Sequence, residues 1–306
     1  MNKEKLKIMQ SYPLELKIEL SKKAIKEFIN MYGEDKIYIP YSGGKDSTVL
    51  AHLIYNELNI QPTLLNVNTL NEFKSVVDQV KYMKEIGFNV KIVTPKNNIE
   101  DVINKYGYPV ISKQVSNTVY YARKNILEGK ETLRVKQIMG KEKGSKFNKG
   151  KWKFLLDAPF KISDKCCNEL KKKPFKEYEK LTGKKPIIGT LAVESMTRES
   201  AYLKHGCNNF DKGVCTPLGF WTENDILEYI FIKDIKIASV YGEIIKENNN
   251  YKLTGEQRTG CVACILGMEY DKERILRLKE IEPKKYDYVI NRLGFKKVLD
   301  FLNYKY

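Results

Sequence analysis

Ser42-Gly43-Gly44-Lys45-Asp46-Ser47 stands between the apolar run Ile37-Tyr38-Ile39-Pro40-Tyr41 and the helix-like stretch Thr48-Val49-Leu50-Ala51-His52-Leu53-Ile54. A glycine-rich turn that leaves a strand and opens a helix aims unpaired backbone N–H groups and the positive end of the helix at one point, which is a place for phosphate. The spacing fits neither Gly-x-x-x-x-Gly-Lys-Ser/Thr nor Gly-x-Gly-x-x-Gly, so it is neither a Walker A loop nor a dinucleotide fingerprint. The plainer reading is a Gly-Gly turn followed by an Asp N-cap.

Working outward, the pattern alternates: strands over 36–41, 63–68, 89–94 and 185–193, with helices over 46–58, 72–86 and 97–106 between the first three and after them. Strands separated by helices predict βαβ units, hence an α/β fold with a doubly wound parallel sheet. Residues 1–35 read as helix after Pro13, a second helix spans 113–127, and 271–306 read as a helical extension. The domain expectation is therefore a helical segment 1–35, a nucleotide-type domain 36–270 and a C-terminal extension 271–306. The domain carries a Lys-rich insertion at 128–153, whose stretch 140–150 has no hydrophobic period and reads as a mobile loop. Thr222 and Asp225 have the spacing of a capping box opening a helix.

A chain of 306 residues with 42% hydrophobic content can build its own core. The beginning, Met1-Asn2-Lys3-Glu4-Lys5-Leu6-Lys7, lacks the apolar run of a signal peptide and no stretch reaches membrane-spanning length, so a cytoplasmic protein without membrane contact is expected. The formal charge of +16 concentrates between Tyr120 and Lys185, with 20 Lys/Arg against 8 Asp/Glu, including Lys141, Lys143, Lys146, Lys149, Lys151 and Lys153. Nucleic acid is one partner for such a region; a solvated Lys-rich surface is the other reading. Six cysteines are too few for a disulfide scaffold, which brings metal, cluster or catalytic roles forward. Only two histidines, His52 and His205, are present, which disfavours an imidazole-built zinc site.

The hexamer Ser42–Ser47 resembles the loop of the PP-loop ATP pyrophosphatases, and Asn68-Thr69-x-x-Glu72-Phe73 resembles the Asp-Thr-Gly-x-Glu-Phe segment of the phosphoadenosine phosphosulfate (PAPS) reductase family within that superfamily. Gly189, Ser195 and Arg198 fall at the spacing of that family's Gly-Leu-Arg…Ser-x-x-Arg segment. The resemblance implies an adenine nucleotide alpha hydrolase-like fold over residues 36 to 270. It further implies adenine nucleotide bound by Ser42, Gly43, Gly44, Lys45, Asp46, Ser47, Asn68, Thr69 and Glu72, with Lys45 and Asp46 in the chemistry and Arg198 on an anionic group. Arg198 is equally placed for an ion pair with Glu194 or Glu199. Mg2+ would accompany ATP, held by Asp46 or Ser47, and the loop is expected to be exposed.

Cys166-Cys167 and Cys261-x-x-Cys264 could close four sulfurs around one centre. With Lys165, Lys171, Pro174 and Arg258-Thr259-Gly260 they resemble the [4Fe–4S] site of the adenylylsulfate (APS) reductase branch; a structural Zn2+ at the same four cysteines is the alternative. Cys207, in His205-Gly206-Cys207-Asn208, is a candidate sulfur-carrying nucleophile or an inert thiol. The match departs from the family at Leu191, where an arginine is usual, at Asn68, and in having no cysteine after Cys264 for the Glu-Cys-Gly-like motif of sulfonucleotide reductases. The unmodified phosphate loop points to ATP. The expected function is an ATP-adenylating sulfurtransferase with a [4Fe–4S] cluster, acting on nucleic acid (tRNA or DNA) through the 120–185 region. Two readings stay open beside it: an APS/PAPS-type reductase drawing on a thioredoxin-like reductant, and a non-catalytic nucleotide- or nucleic-acid-binding module.

Overall fold

Ile37, Tyr38 and Ile39 are all fully buried, and they point alternately to opposite sides, so this strand must be covered on both faces. The computed structural model describes residues 1–142, 144–145, 147–248 and 250–306. Its central sheet consists of β1 (Ile37–Pro40), β2 (Thr63–Val67), β3 (Val90–Val93) and β4 (Lys185–Pro186), ordered β3-β2-β1-β4 with every pair parallel. One face, carrying Ile37, Ile39 and Leu64, packs on helices α1 (Lys3–Gln10), α2 (Leu14–Tyr32) and α3 (Lys45–His52), through residues such as Leu6, Ile25, Phe28 and Leu50. The other face, carrying Tyr38 and Leu65, packs on Phe175 and Tyr178. The doubly wound parallel sheet expected from the sequence is therefore present.

The chain forms two units. The first comprises Met1–Asn68, Glu72–Thr94 and Pro174–Thr259; the second comprises Thr69–Asn71, Pro95–Lys173 and Gly260–Tyr306. Besides the sheet, the first holds α4 (Lys74–Glu85), while α5 (Ile99–Tyr106), α6 (Lys113–Leu127) and α7 (Leu133–Ile138) belong to the second. Helix α8 (Lys173–Thr182) carries the Phe175 and Tyr178 that cover the sheet, and α9 (Met196–His205) and α10 (Glu223–Ile232) follow in the first unit. In the second unit Arg123 donates to the carbonyls of Leu155, Ala158 and Phe160, tying down the end of the three-ten segment Gly150–Asp157 and the residues just after it. The second unit ends in α11 (Arg274–Ile281), α12 (Pro283–Asp287) and α13 (Phe295–Leu302).

Several local expectations need correction. The strand expected over 185–193 pairs with β1 only at its first two residues; Ile187 then bridges Cys215, and Ala192–Glu194 form a three-ten turn. Gly189 explains the change: a Cβ there would lie 2.9 Å from the Asp46 carbonyl oxygen, so the chain leaves the sheet to pack against the first turn of α3. The helix expected over 46–58 is α-helical to His52 and then widens to a π turn over Leu53–Glu57. The insertion 128–153 contains α7 and the start of a three-ten segment, Gly150–Asp157. A hairpin of Ile244–Glu247 with Asn250–Leu253 gave no clear signal in the sequence. Among the described residues no helix is long and apolar enough to cross a membrane.

The N-terminal helix α2 is tied into the first unit by polar contacts inside its core. Lys17, 1% exposed, donates from Nζ to Asp225 Oδ2 at 2.6 Å and to the Gln10 carbonyl at 2.6 Å. Asp225 Oδ2 also accepts from the Thr222 N–H and hydroxyl, completing the capping box read from the sequence. Ser21 donates to the Pro217 carbonyl and accepts from Trp221 Nε1. Removing one member of a buried ion pair strands the other charge. Lys17→Met is expected to lower unfolding free energy by about 3 kcal/mol, read as a fall in the urea midpoint at unchanged slope. A loss near zero would mean that Asp225 is satisfied by Thr222 alone.

Candidate active site

In an open parallel sheet the ligand crevice lies beyond the carboxyl ends of the strands where the strand order reverses, which here is between β1 and β4. A cavity of about 370 Å³ opens there, lined by Lys45 and Asp46 after β1, Leu191, Val193 and Glu194 after β4, and Thr222, Glu223 and Arg258. Gly43 has φ +74°, and a Cβ on it would sit 2.7 Å from the Val76 carbonyl oxygen, so only glycine makes this turn. Ser42 is exposed, whereas Gly43, Gly44, Lys45 and Ser47 are buried. The exposed loop expected from the sequence is thus mostly a buried one, and Lys45 and Asp46 belong to the first turn of α3.

The loop's own hydroxyls meet its amides. Gly44 N–H donates to Ser42 Oγ at 3.2 Å, Ser42 N–H donates to Ser47 Oγ at 3.3 Å, and Ser47 Oγ donates to the Gly44 carbonyl at 2.9 Å. Lys45 N–H donates to the Tyr241 hydroxyl at 3.2 Å. Lys45 Nζ lies 3.1 Å from Glu223 Oε1 and 3.6 Å from Asp46 Oδ1. Burial works against its charge, but the two carboxylates outweigh burial and hold the ammonium above its ordinary pKa. Burial raises Asp46, against the pull of Lys45 and Arg198. Asp46 Oδ1 is buried and accepts no hydrogen bond among the described residues. A carboxylate oxygen that accepts no hydrogen bond is a donor type that a hard cation such as Mg2+ takes, although here the Lys45 ammonium already stands 3.6 Å from it.

The other residues singled out from the sequence are more scattered. Arg198 pairs with Glu194, one of the two partners the sequence offered. It also lines a separate cavity of about 250 Å³ with His205, Asn209 and Lys212. Burial lowers the Arg198 pKa while Asp46 supports its charge. Cys207 shares a contact of 3.4 Å with the Tyr202 hydroxyl, and burial pushes its thiol up to about 11. A thiol raised that far is protonated at neutral pH, the opposite of an activated nucleophile. Asn68 follows β2 and donates its N–H to the Val93 carbonyl at 2.9 Å. Glu72 belongs to the first unit and Thr69, almost fully buried, to the second. Sequence reasoning missed Glu223 and Tyr241; the capping box beside Glu223 was the one nearby signal.

In the second unit Cys166, Cys167, Cys261 and Cys264 line one narrow cleft of about 20 Å³, together with Lys171. The Cys264 N–H donates to the Cys261 carbonyl at 3.1 Å, closing the turn between them. Asn71 holds that turn from outside, accepting from Val262 N–H on its carbonyl and from Ala263 N–H on Oδ1. Cys166 hydrogen-bonds Cys167, which with Lys113 and Lys171 lowers the Cys167 thiol to about 6, while Cys166 itself is raised. Burial raises Cys264. Among the described residues no three His, Cys, Asp or Glu side chains stand where they could hold a single metal ion. All four thiols face this one cleft, a donor set of the kind that holds a thiolate-bound cluster or a zinc.

Within the basic 120–185 region, Lys141 pairs with Glu131, and Lys151 pairs with Glu269 at 3.0 Å while standing over the Trp152 ring. Lys149 is 7% exposed, and burial lowers its pKa, so it does not belong to a solvated basic surface. Lys153 is exposed. Lys143 and Lys146 lie outside the described residues.

A parallel α/β unit with a glycine-rich turn at its topological switch point has the adenine nucleotide alpha hydrolase-like fold. The chain belongs to the phosphoadenosine phosphosulfate reductase domain family, whose model matches residues 36–125 and 115–266. It is 34% identical over 106 residues to the glutamine-hydrolysing GMP synthase of Christiangramia forsetii, a stretch that is 33% of this chain. The match spans only 20% of that curated relative's length. Among solved structures, the PAPS reductase of Candida auris in its phosphate complex aligns with a TM-score of 0.41 and 13% identity, covering 82% of this chain and 98% of that one. The U34-tRNA thiolase NcsA of Methanococcus maripaludis, with its [4Fe-4S] cluster, aligns with a TM-score of 0.39 and 13% identity, covering 94% of this chain and 82% of that one.

Proposed function

We propose that the first unit binds ATP on residues 42–47 and adenylates an acceptor, which a sulfur nucleophile then attacks. The observation that carries this reading is the buried turn Gly43–Lys45, opening on the switch-point cavity with a charged Lys45 whose ion-pair partner Asp46 Oδ1 accepts no hydrogen bond among the described residues. Loop N–H groups would turn to phosphate oxygens, and Lys45 would exchange Glu223 for the β- and γ-phosphates as negative charge grows there. Asp46, with Ser47 nearby, would hold Mg2+. An acceptor oxygen attacks the α-phosphorus, the bond to the bridging oxygen breaks, and pyrophosphate leaves. A sulfide-level donor then forms a bond to the activated atom as AMP departs with the acceptor oxygen. Adenylation is needed because the unactivated oxygen is a poor leaving group.

Arg198 would steady an anionic group of nucleotide or acceptor, once released from Glu194. The four cysteines would hold a [4Fe–4S] cluster, a group that would supply electrons. A nucleic-acid acceptor, tRNA or DNA, would meet the basic region through exposed residues such as Lys153 and through Lys141 and Lys151, whose surface pairs with carboxylates are weak. Cys207 would serve sulfur carriage only if a partner lowered its thiol pKa. Localisation in the cytoplasm accords with reduced cysteines and a cluster.

The test is pyrophosphate release from ATP by anaerobically purified protein, with and without tRNA or DNA. Release that requires Mg2+ and rises with one acceptor is expected. Tight binding of PAPS or APS with no pyrophosphate from ATP would give the reductase reading instead, with a thioredoxin-like reductant. Nucleotide binding without turnover would leave a binding module.

A further inference from the structure

Of the three loop amides whose acceptors are given above, two meet serines of the loop itself, and the third is met by a residue far along the chain. Tyr241 ends the three-ten turn Ser239–Tyr241, is 2% exposed, and takes the N–H of Lys45 at 3.2 Å. Its hydroxyl is also 3.2 Å from Thr259 Oγ1. One hydroxyl has one proton to give and lone pairs to accept with, so donation to Thr259 and acceptance from Lys45 are compatible. The ring lies beneath the Lys45 ammonium, 5.9 Å from centroid to Nζ.

The tyrosine is delivered to this spot by a fixed backbone. Gly255 N–H donates to the Tyr241 carbonyl and Glu256 N–H to the Val240 carbonyl, each at 2.9 Å. Gly242 follows at φ +69°, where a Cβ would stand 2.2 Å from Thr254 Oγ1 and 2.7 Å from Gly255 N. The first-turn N–H of a helix has no partner within the helix and is the group an anion takes. In this protein that N–H already has an oxygen on it.

We propose that Tyr241 is a built-in occupant of the phosphate loop, its hydroxyl standing in for a phosphate oxygen on Lys45 N–H until a nucleotide displaces it. This rests on the nucleotide reading of residues 42–47. A phosphate oxygen makes a charge-assisted bond about twice as strong as the neutral one it replaces, so displacement runs forward for polyphosphates. A weaker anion has less with which to drive it. Tyr241 thereby sets a threshold, its hydroxyl costing any ligand that takes the Lys45 N–H one hydrogen bond.

The test is titration calorimetry of the full chain and of Tyr241→Phe with pyrophosphate and with Mg-ATP, together with amide hydrogen exchange at Lys45. The variant keeps the ring under Lys45 and loses only the oxygen. It is expected to bind pyrophosphate about fivefold more tightly, the worth of one released hydrogen bond, and its ligand-free Lys45 amide is expected to exchange faster. Tyr241→Leu, which also lacks the oxygen, should change affinity in the same direction and serves if the first variant folds poorly. Equal affinities, with both proteins binding, overturn the occupant role and leave the nucleotide reading standing. Weaker binding by the variants overturns it too, since the hydroxyl would then be touching bound phosphate. Failure of every protein to bind either ligand would remove the nucleotide reading and this proposal together.

Discussion

Lys45→Ala is expected to lower pyrophosphate release from ATP by about 10²–10³-fold, the usual loss when one preorganised partner of transition-state charge is removed. The magnitude follows from where the ammonium sits. It is 5% exposed, charged, and already desolvated before any substrate arrives. An ammonium in that condition needs little reorganisation when charge appears on the departing phosphates. Lys45→Arg should recover only part of the rate, because a planar guanidinium cannot be placed like a compact point charge beside Glu223 and Asp46. Stability should fall as well as activity in Lys45→Ala, since Asp46 and Glu223 lose the cation between them. Glu223 keeps 44% of its side chain in solvent, so screening limits that loss. Steady-state pyrophosphate release beside a thermal melt separates the two effects. A variant that melts like the parent and cleaves ATP at the parental rate would remove the loop from the chemistry.

Anaerobically purified protein is expected to contain about four irons per chain and to be brown, with broad absorbance near ~400 nm, as a cubane bound by four cysteines requires. Cys264→Ser should reduce the iron to well under half, because in this reading Cys264 would be one of only four ligands, and it closes the turn that would also present Cys261. The Cys167 thiol is held below its ordinary range by the hydrogen bond from Cys166 and by Lys113 and Lys171, which favours the thiolate form a metal would take. Iron and sulfide analysis beside the ultraviolet–visible spectrum decides the matter. Colourless protein with about one zinc per chain would establish the tetrathiolate alternative, and parental iron in Cys264→Ser would take that residue out of the ligand set.

What could be read in the sequence was what is local. A strand, a Gly-Gly turn and the first turn of a helix occupy consecutive residues, so Ile37 to Ile54 announced the strand, the tight turn and the helix that follows it. The capping box at Thr222 and Asp225 was legible for the same reason. Burial was not. Lys45 and Lys149 looked like solvated lysines because composition does not say which side of a chain is covered, yet both are buried. Tyr241 lies 196 residues from Lys45, and no periodicity carries a contact over that distance. The end of the strand at 185–193 was misjudged because Gly189 answers to the Asp46 carbonyl opposite it and not to its own neighbours. The two cysteine pairs were each visible as motifs; that they face one cleft is a fact of the second unit's folding.

The family model begins at residue 36, but the first unit's core does not. Ile25 and Phe28 of α2 are fully buried, Lys17 neutralises Asp225 in the interior, and Ser21 satisfies the Trp221 indole. A recombinant fragment trimmed to the matched segment would therefore carry a partly uncovered apolar sheet face and a buried carboxylate without its cation, and aggregation of such a fragment would say nothing about the full chain. The residues outside the family's shared sequence are part of its solubility, and homologous domains grafted at that boundary would need a helix of their own to replace α2.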